Sequence, residues 1–256
     1  MAEAQGDHAP AYPVWEREGR FYDALRPNVD PEGHASALSV VLSREDHLAA
    51  VRQALAQVRV LILTLGLNET WEDPASGTVY PTAPGVIADP PPQAKIRFLS
   101  LGHDDVVADL RAILTRLRRI TPEVKVVLTV APGPLVATAG GQHVLPASAA
   151  CKAVLRAAAD TLTRSDPQVD YFPSYEIVTN PAARSAFFQP NLRLPTPKAI
   201  SVVMKQFLGA HQATQRPVAP TASPVADADP QDNAAICEEQ MHDPGLRVPA
   251  ANGQPA

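Results

Sequence analysis

Residues 59–71 read RVLILTLGLNETW, and this stretch decides the fold. Its first seven residues form a nearly continuous apolar run of branched side chains, the pattern of a strand buried on both faces of a parallel sheet. The run ends at Gly66, and polar residues follow at once. Two further runs share the pattern, VKVVLTV at 124–130 and VDYF at 169–172. Helical periodicity fills the intervals. Leu48, Val51, Leu55 and Val58 follow Ser43, read as a cap with Asp46 three residues on. Asp104 precedes the face Val106, Val107, Leu110, Ile113, Leu114 and Leu117, and Ser148 precedes Val154, Leu155, Ala158 and Leu162. Thr196, with Pro197 at the first helical position, opens the face Ile200, Val203, Met204 and Phe207. This alternation of helix and strand predicts an α/β chain: a parallel sheet with helices on both faces, joined by right-handed crossovers. Three strands make a narrow sheet, and the pattern begins on a helix. A strand is therefore expected to be missing at the front, leaving an uncovered sheet edge open to self-association.

Between the first strand and the helix at Asp104 lies NETWEDPASGTVYPTAPGVIADPPPQAKIRFLSLG, residues 68–102. The usual strand-to-helix loop has only about two to six residues. A long excursion at the carboxyl end of a parallel strand is where α/β proteins place ligands. The plainer reading is a meander held by Trp71, Tyr80 and Phe98 packing back on the domain.

Composition narrows the function. Lys and Arg number 22 against 27 Asp and Glu, a formal charge of −5, which lacks the basic excess of a nucleic-acid binder. Two cysteines, Cys151 and Cys237, lie far apart with no CxxC pair, so a disulfide scaffold or zinc knuckle is not expected. No run approaches the length of a membrane span, and MAEAQGDHAPAYP lacks the basic start and apolar segment of a signal peptide. The expected address is cytoplasmic. Of 27 prolines, seven follow Leu208 in a stretch without apolar periodicity, so 211–256 is expected to be a disordered tail. Residues 1–14 have a similar composition and are likewise expected to be a disordered N-terminus, which leaves 15–210 as the expected ordered domain.

Several chemistries lack their motifs. There is no GxxxxGK[ST] and no GxGxxG after a strand, so the two common phosphate cradles are absent. GxSxG and HExxH are absent, and the seven histidines never pair at ligand spacing. No metal or organic cofactor is expected. What remains is Gly66 and Asn68 at the end of the first strand. A glycine there lets backbone approach a ligand, and an Asn amide two residues on can donate to a developing oxyanion. Gly-x-Asn is also ordinary turn chemistry. Ser174 and Glu176, in YFPSYEIV at 171–178, follow the third strand and would share a carboxyl edge with Asn68 and Glu69. A serine after proline equally opens a turn. His143 lies before a helix, and Cys151 on that helix reads as a small buried residue.

Seven blocks are recognisable together: FYDALRPNV at 21–29, REDHLAAVRQAL at 44–55, LTLGLNETWED at 63–73, YPTAPG at 80–85, LTVAPGPLVAT at 128–138, HVLPASAACKAVLRAAA at 143–159 and YFPSYEIV. In this order and spacing, over about residues 15–210, they resemble the GSCFA domain family. That resemblance implies a three-layer, flavodoxin-like fold related to the SGNH or GDSL hydrolases, which cleave esters of acyl groups on carbohydrates or lipids. It implies an oxyanion role for Gly66 and Asn68. It also implies a ligand site that takes in Glu69, Trp71, His143, Ser174, Tyr175 and Glu176, with a small-molecule or glycan ester as partner. Two departures matter. No Gly-Ser-Cys-Phe-Ala occurs in the chain, and the place of the family's Asp-x-x-His reads Asn191, Leu192, Arg193, Leu194. An Asn cannot orient an imidazolium as a carboxylate does, and a Leu cannot accept a proton. Ala131 stands where the family usually has serine. The chain is therefore expected to be truncated or inactive as an esterase, or else to bind such a ligand without cleaving it.

Overall fold

The structure, a computed structural model, describes residues 1–211. The segment from Gln212 onward, expected to be a tail, lies outside the described residues.

Three strands form the parallel sheet. β3 (Val60–Leu65), β7 (Lys125–Val130) and β8 (Val169–Tyr171) lie in that order, with β3 and β7 in register from Val60 opposite Lys125 to Leu65 opposite Val130. These are the three apolar runs of the sequence. Three long helices accompany them: α1 (Ala37–Gln57), α2 (His103–Ile120) and α3 (Val144–Ser165). Leu110, Leu114 and Leu117 of α2 and Cys151, Leu155 and Leu162 of α3 meet Val126, Leu128 and Val130 of β7 in one buried cluster. α4 (Ser174–Thr179), a 3-10 turn at Pro181–Ala183 and α5 (Pro197–His211) follow. β7 is central and almost wholly buried, whereas β3 forms an edge on which Val60 and Ile62 are 52% and 51% exposed. No helix among the described residues is long and apolar enough to cross a membrane.

Helix starts differ from the sequence reading. α1 begins at Ala37, well ahead of Ser43, with Ser36 accepting from Ser39 N, so Ser43 is interior rather than a cap. α2 starts at His103, where Asp105 takes the Gly102 N–H at 2.9 Å. α3 starts at Val144, ahead of Ser148, because Pro146 falls in the first turn, where its missing N–H costs nothing. At α5 the reading holds, since Thr196 Oγ1 accepts from Ala199 N.

The excursion 68–102 contains a second sheet, with an irregular stretch from 81 to 96 between its strands, and Trp71, Tyr80 and Phe98 do pack as the plainer reading expects. β4 (Glu69–Asp73) pairs antiparallel with β5 (Thr78–Tyr80) on one side and β6 (Arg97–Ser100) on the other. Short strands with few apolar residues hid it from periodicity. Ahead of α1, β1 (Val14–Arg17) and β2 (Arg20–Asp23) make a hairpin turned through Gly19 at φ +75°. Trp15 of the hairpin packs on Tyr80 of β5 at 5.1 Å between ring centroids, forming a small second core with Ala24 and Ala88. The Tyr80 hydroxyl donates to Ala11 O at 2.5 Å, and burial pushes its pKa up to about 12.

Arg44 holds these pieces to α1. The residue is 8% exposed, and its guanidinium donates to both Asp23 oxygens at 2.7 and 2.9 Å and to both oxygens of Glu3. Asp23 also accepts from Arg26 and from Leu25 N, so one carboxylate ties the hairpin end to two cations. Glu3 belongs to the stretch 1–14; the residues around it turn back through Gln5 N to Met1 O, and Ala4 is buried. Arg44→Ala leaves Glu3 without its cation and Asp23 with Arg26 alone. The expected loss is about 3 kcal/mol, read as a lower urea midpoint.

Arg118 of α2 is tied to Asp166, just beyond α3, with bonds of 2.6 and 2.9 Å. The Arg118 hydrogen bonds hold the Asp166 carboxyl below its usual range. A pKa depressed in the folded chain stabilises at pH above the unfolded value of about 3.9 and is lost as pH falls through the folded value. Urea midpoints measured from neutral pH downward are expected to fall less steeply below about pH 4 in Arg118→Met than in the parent chain.

Candidate functional site

The site is built where β3 runs out. Beyond Leu65, whose carbonyl still accepts from Ala131 N at 2.9 Å, the chain must turn from the parallel sheet into the antiparallel one. Three side chains fix that turn. Lys152 of α3, 3% exposed, donates from Nζ to Gly66 O at 2.8 Å. Asn68, 7% exposed, donates from Nδ2 to Leu101 O at 2.8 Å, while its own backbone carbonyl accepts from Leu101 N. Glu69 Oε1 accepts from Thr138 Oγ1 at 2.6 Å, which ties the start of β4 to the loop after β7.

Under that tie is a cavity of about 160 Å³, lined mainly by Leu67, Glu69, Trp71, Val86, Leu135 and Thr138. Trp71 meets Phe98 edge-on at 5.9 Å across β4 and β6, so the indole is held by the second sheet. The cavity is apolar apart from the Glu69 carboxylate and the Thr138 hydroxyl. It therefore suits a small apolar group whose one polar end reaches Glu69.

The remaining residues singled out from the sequence divide between other places. Ser174 Oγ is 2.5 Å from Thr129 Oγ1 and donates to Val130 O at 2.9 Å, fixing α4 to the end of β7; neither partner is a base. Glu176 accepts from the Tyr171 hydroxyl at 2.8 Å and from Arg156 Nε at 2.7 Å, with the Arg156 guanidinium stacked 4.2 Å from the Tyr171 ring centre. Burial, then the bond to Glu176, pushes the Tyr171 hydroxyl above its ordinary range. Tyr175 lines a second cavity with Lys152 and Ser148. His143 caps α3, its Nδ1 accepting from Leu145 N at 3.2 Å. The structure thus brings Glu69 and Trp71 into one cavity beside Gly66 and Asn68. Ser174, Glu176 and His143 are engaged elsewhere.

Sequence reasoning missed Lys152 and Thr138. Lys152 had a signal: with Ala147, Cys151, Leu155 and Ala159 it lies on the buried face of α3, where a lysine stays only if its ammonium has an acceptor. Thr138 had none, because its role depends on β4 crossing beneath the loop. Among the described residues no cluster of His, Cys, Asp or Glu is arranged to hold a metal ion.

Asn68 holds the turn with one amide N–H, and any donation to a ligand falls to the second. Asn68→Ala is expected to cost about 1–2 kcal/mol in urea denaturation, the range for stripping a buried carbonyl of its donor. Asn68→Asp is expected to be at least as damaging, since its carboxylate would face the Leu101 carbonyl.

The family model described as GSCFA family matches residues 7–207, which is most of the chain. No curated protein and no solved structure matches.

Proposed function

Because the chain belongs to the GSCFA family, we propose that its α/β unit is of the flavodoxin-like SGNH or GDSL kind and that it holds an acyl or carbohydrate ester in the cavity at the end of β3, without efficient turnover. The observation that carries this is the cavity itself. Its volume, about 160 Å³, matches that of the apolar cavity of about 150 Å³ that accepts a benzene-sized molecule. A short acyl chain is of that size. Trp71 and Leu135 supply the apolar walls, and Glu69 accepts from a hydroxyl on the alcohol side of the ester.

The strand order supports the fold assignment. In the flavodoxin-like order 2-1-3-4-5, the last three strands pair consecutively and in parallel. β3, β7 and β8 do the same, and the open edge of β3 is the position of the strand that precedes them in that order. The same edge is the surface for self-association.

Binding rather than turnover follows from the residues present. Ester hydrolysis by serine needs a nucleophile, a base and oxyanion donors together. Ser174 bonds to Thr129 and Val130, and Asn191 to Leu194 supply neither carboxylate nor imidazole. Donors alone give only a residual acceleration.

Ethyl butyrate titrated against the full chain is expected to change the tryptophan fluorescence and raise the melting temperature. Trp71→Ala is expected to weaken binding about tenfold, and Trp71→Phe less. A 4-nitrophenyl butyrate assay is expected to run at the buffer rate. Rapid hydrolysis, or no shift with acetyl, butyryl and acetylated-sugar esters alike, overturns the reading.

A further inference from the structure

Glu69 brings to the smaller cavity a charge that a neutral ligand leaves unanswered. It is the one charged residue of the described lining, which contains no Lys, Arg or His. The other walls are apolar, with Leu67, Trp71, Val86, Leu135 and three alanines among them, and Thr138 supplies the one hydroxyl.

Thr138 engages a single oxygen of that carboxylate. Its Oγ1 accepts from Gly140 N at 3.0 Å, which directs its own proton to Glu69 Oε1 at 2.6 Å. No donor among the described residues reaches Oε2. The cations near this edge are directed elsewhere. Arg97 of β6 pairs with Glu72, which strand alternation puts on the opposite face of β4 from Glu69 and Trp71. Lys152, whose ammonium goes to Gly66 O, is not part of this lining. Between apolar walls the field of a carboxylate is screened far less than in water, so a cation gains more there than on an open surface.

We propose that the ligand of this cavity carries a small organic cation, a compact substituted ammonium seated against Glu69 Oε2 between the apolar walls.

The rest of the ligand is the ester of the preceding reading, on which the proposal rests, and the ammonium takes the place of the hydroxyl on its alcohol half. A hydroxyl would use a lone pair of Oε2 and leave the negative charge in place, whereas an ammonium compensates it. Methyl groups on the nitrogen suit the remaining walls, because they spread the charge over a surface that apolar and aromatic side chains accept. A trimethylammonium group is smaller than benzene, so a cavity of about 160 Å³ holds it. A second carboxylate or a phosphate on the ligand would meet Glu69 as a like charge, which makes the cavity selective for one sign.

Acetylcholine and 3,3-dimethylbutyl acetate have the same shape and differ in one atom, a charged nitrogen in the first and a neutral carbon in the second. In calorimetric titrations of the full chain, acetylcholine is expected to bind at least about fivefold more tightly, with the ratio falling as salt is raised. Tetramethylammonium is expected to displace acetylcholine, and the neutral tert-butanol is not. Glu69→Gln keeps an oxygen for Thr138 and removes the charge, so the ratio of the two affinities is expected to fall to about one while circular dichroism is unchanged. Should Glu69→Gln fail to fold, the ratio in the parent chain and the displacement by tetramethylammonium decide. A smaller ratio in the parent chain, a ratio that survives Glu69→Gln, or no displacement by tetramethylammonium overturns the proposal. Equal binding of the two acetates removes the cation and leaves the ester reading standing. Tetramethylammonium bound as tightly as acetylcholine keeps the cation and counts against the ester, so the two readings fail separately.

Discussion

Parallel pairing of β3 with β7 is the constraint from which the rest follows. Six residues of each strand align from Val60 with Lys125 to Leu65 with Val130. Two parallel strands cannot be joined by a tight turn, so the chain between them must cross from one end of the sheet to the other. α2 makes that crossing, and its apolar face is what covers β7. The carboxyl ends of both strands then lie side by side, and every segment leaving them must start from the same edge. The candidate site is a consequence of that shared edge.

What makes the edge a site rather than a set of loops is the number of polar ties across it. Lys152 fixes the Gly66 carbonyl, Asn68 and Leu101 clamp the mouth of the second sheet, and Thr138 reaches over to Glu69. Each tie joins segments far apart in sequence, and the first two satisfy backbone carbonyls that would otherwise be left unpaired. Together they turn an insertion into a rigid wall, so that Trp71 and Glu69 sit over a cavity with fixed shape. In consequence, several groups with chemical potential are already committed. Ser174 and Glu176, which look available in the bare sequence, serve the attachment of α4 and the Arg156 stack.

How much of this was legible depended on the length scale of each signal. The strands of the parallel sheet are short, but each is a run of branched apolar residues, and burial on both faces leaves that mark in sequence. The faces of α2 and α3 are equally plain. The second sheet was not legible: ETWED and TVY are too short and too polar to show alternation, and their pairing is set by partners in the same insertion and by Trp15 from the hairpin. Helix starts were misplaced for a related reason. Serines, aspartates and prolines near a helix end offer several caps, and the one used depends on where the preceding loop arrives.

The sequence by itself determined the parallel α/β layering, the family through its ordered blocks, and the turn at Gly66 and Asn68 that ends the first parallel strand, because all three are written in local pattern. Tertiary structure alone decided which side chains face that site. It placed Lys152 under Gly66, drew Glu69 and Trp71 over one cavity, turned Glu176 and His143 to other duties, and set Arg193 beside a second cavity. The physical reason is that periodicity records which face of an element is buried, whereas a polar side chain's role is fixed by the partner that folding brings within hydrogen-bond reach.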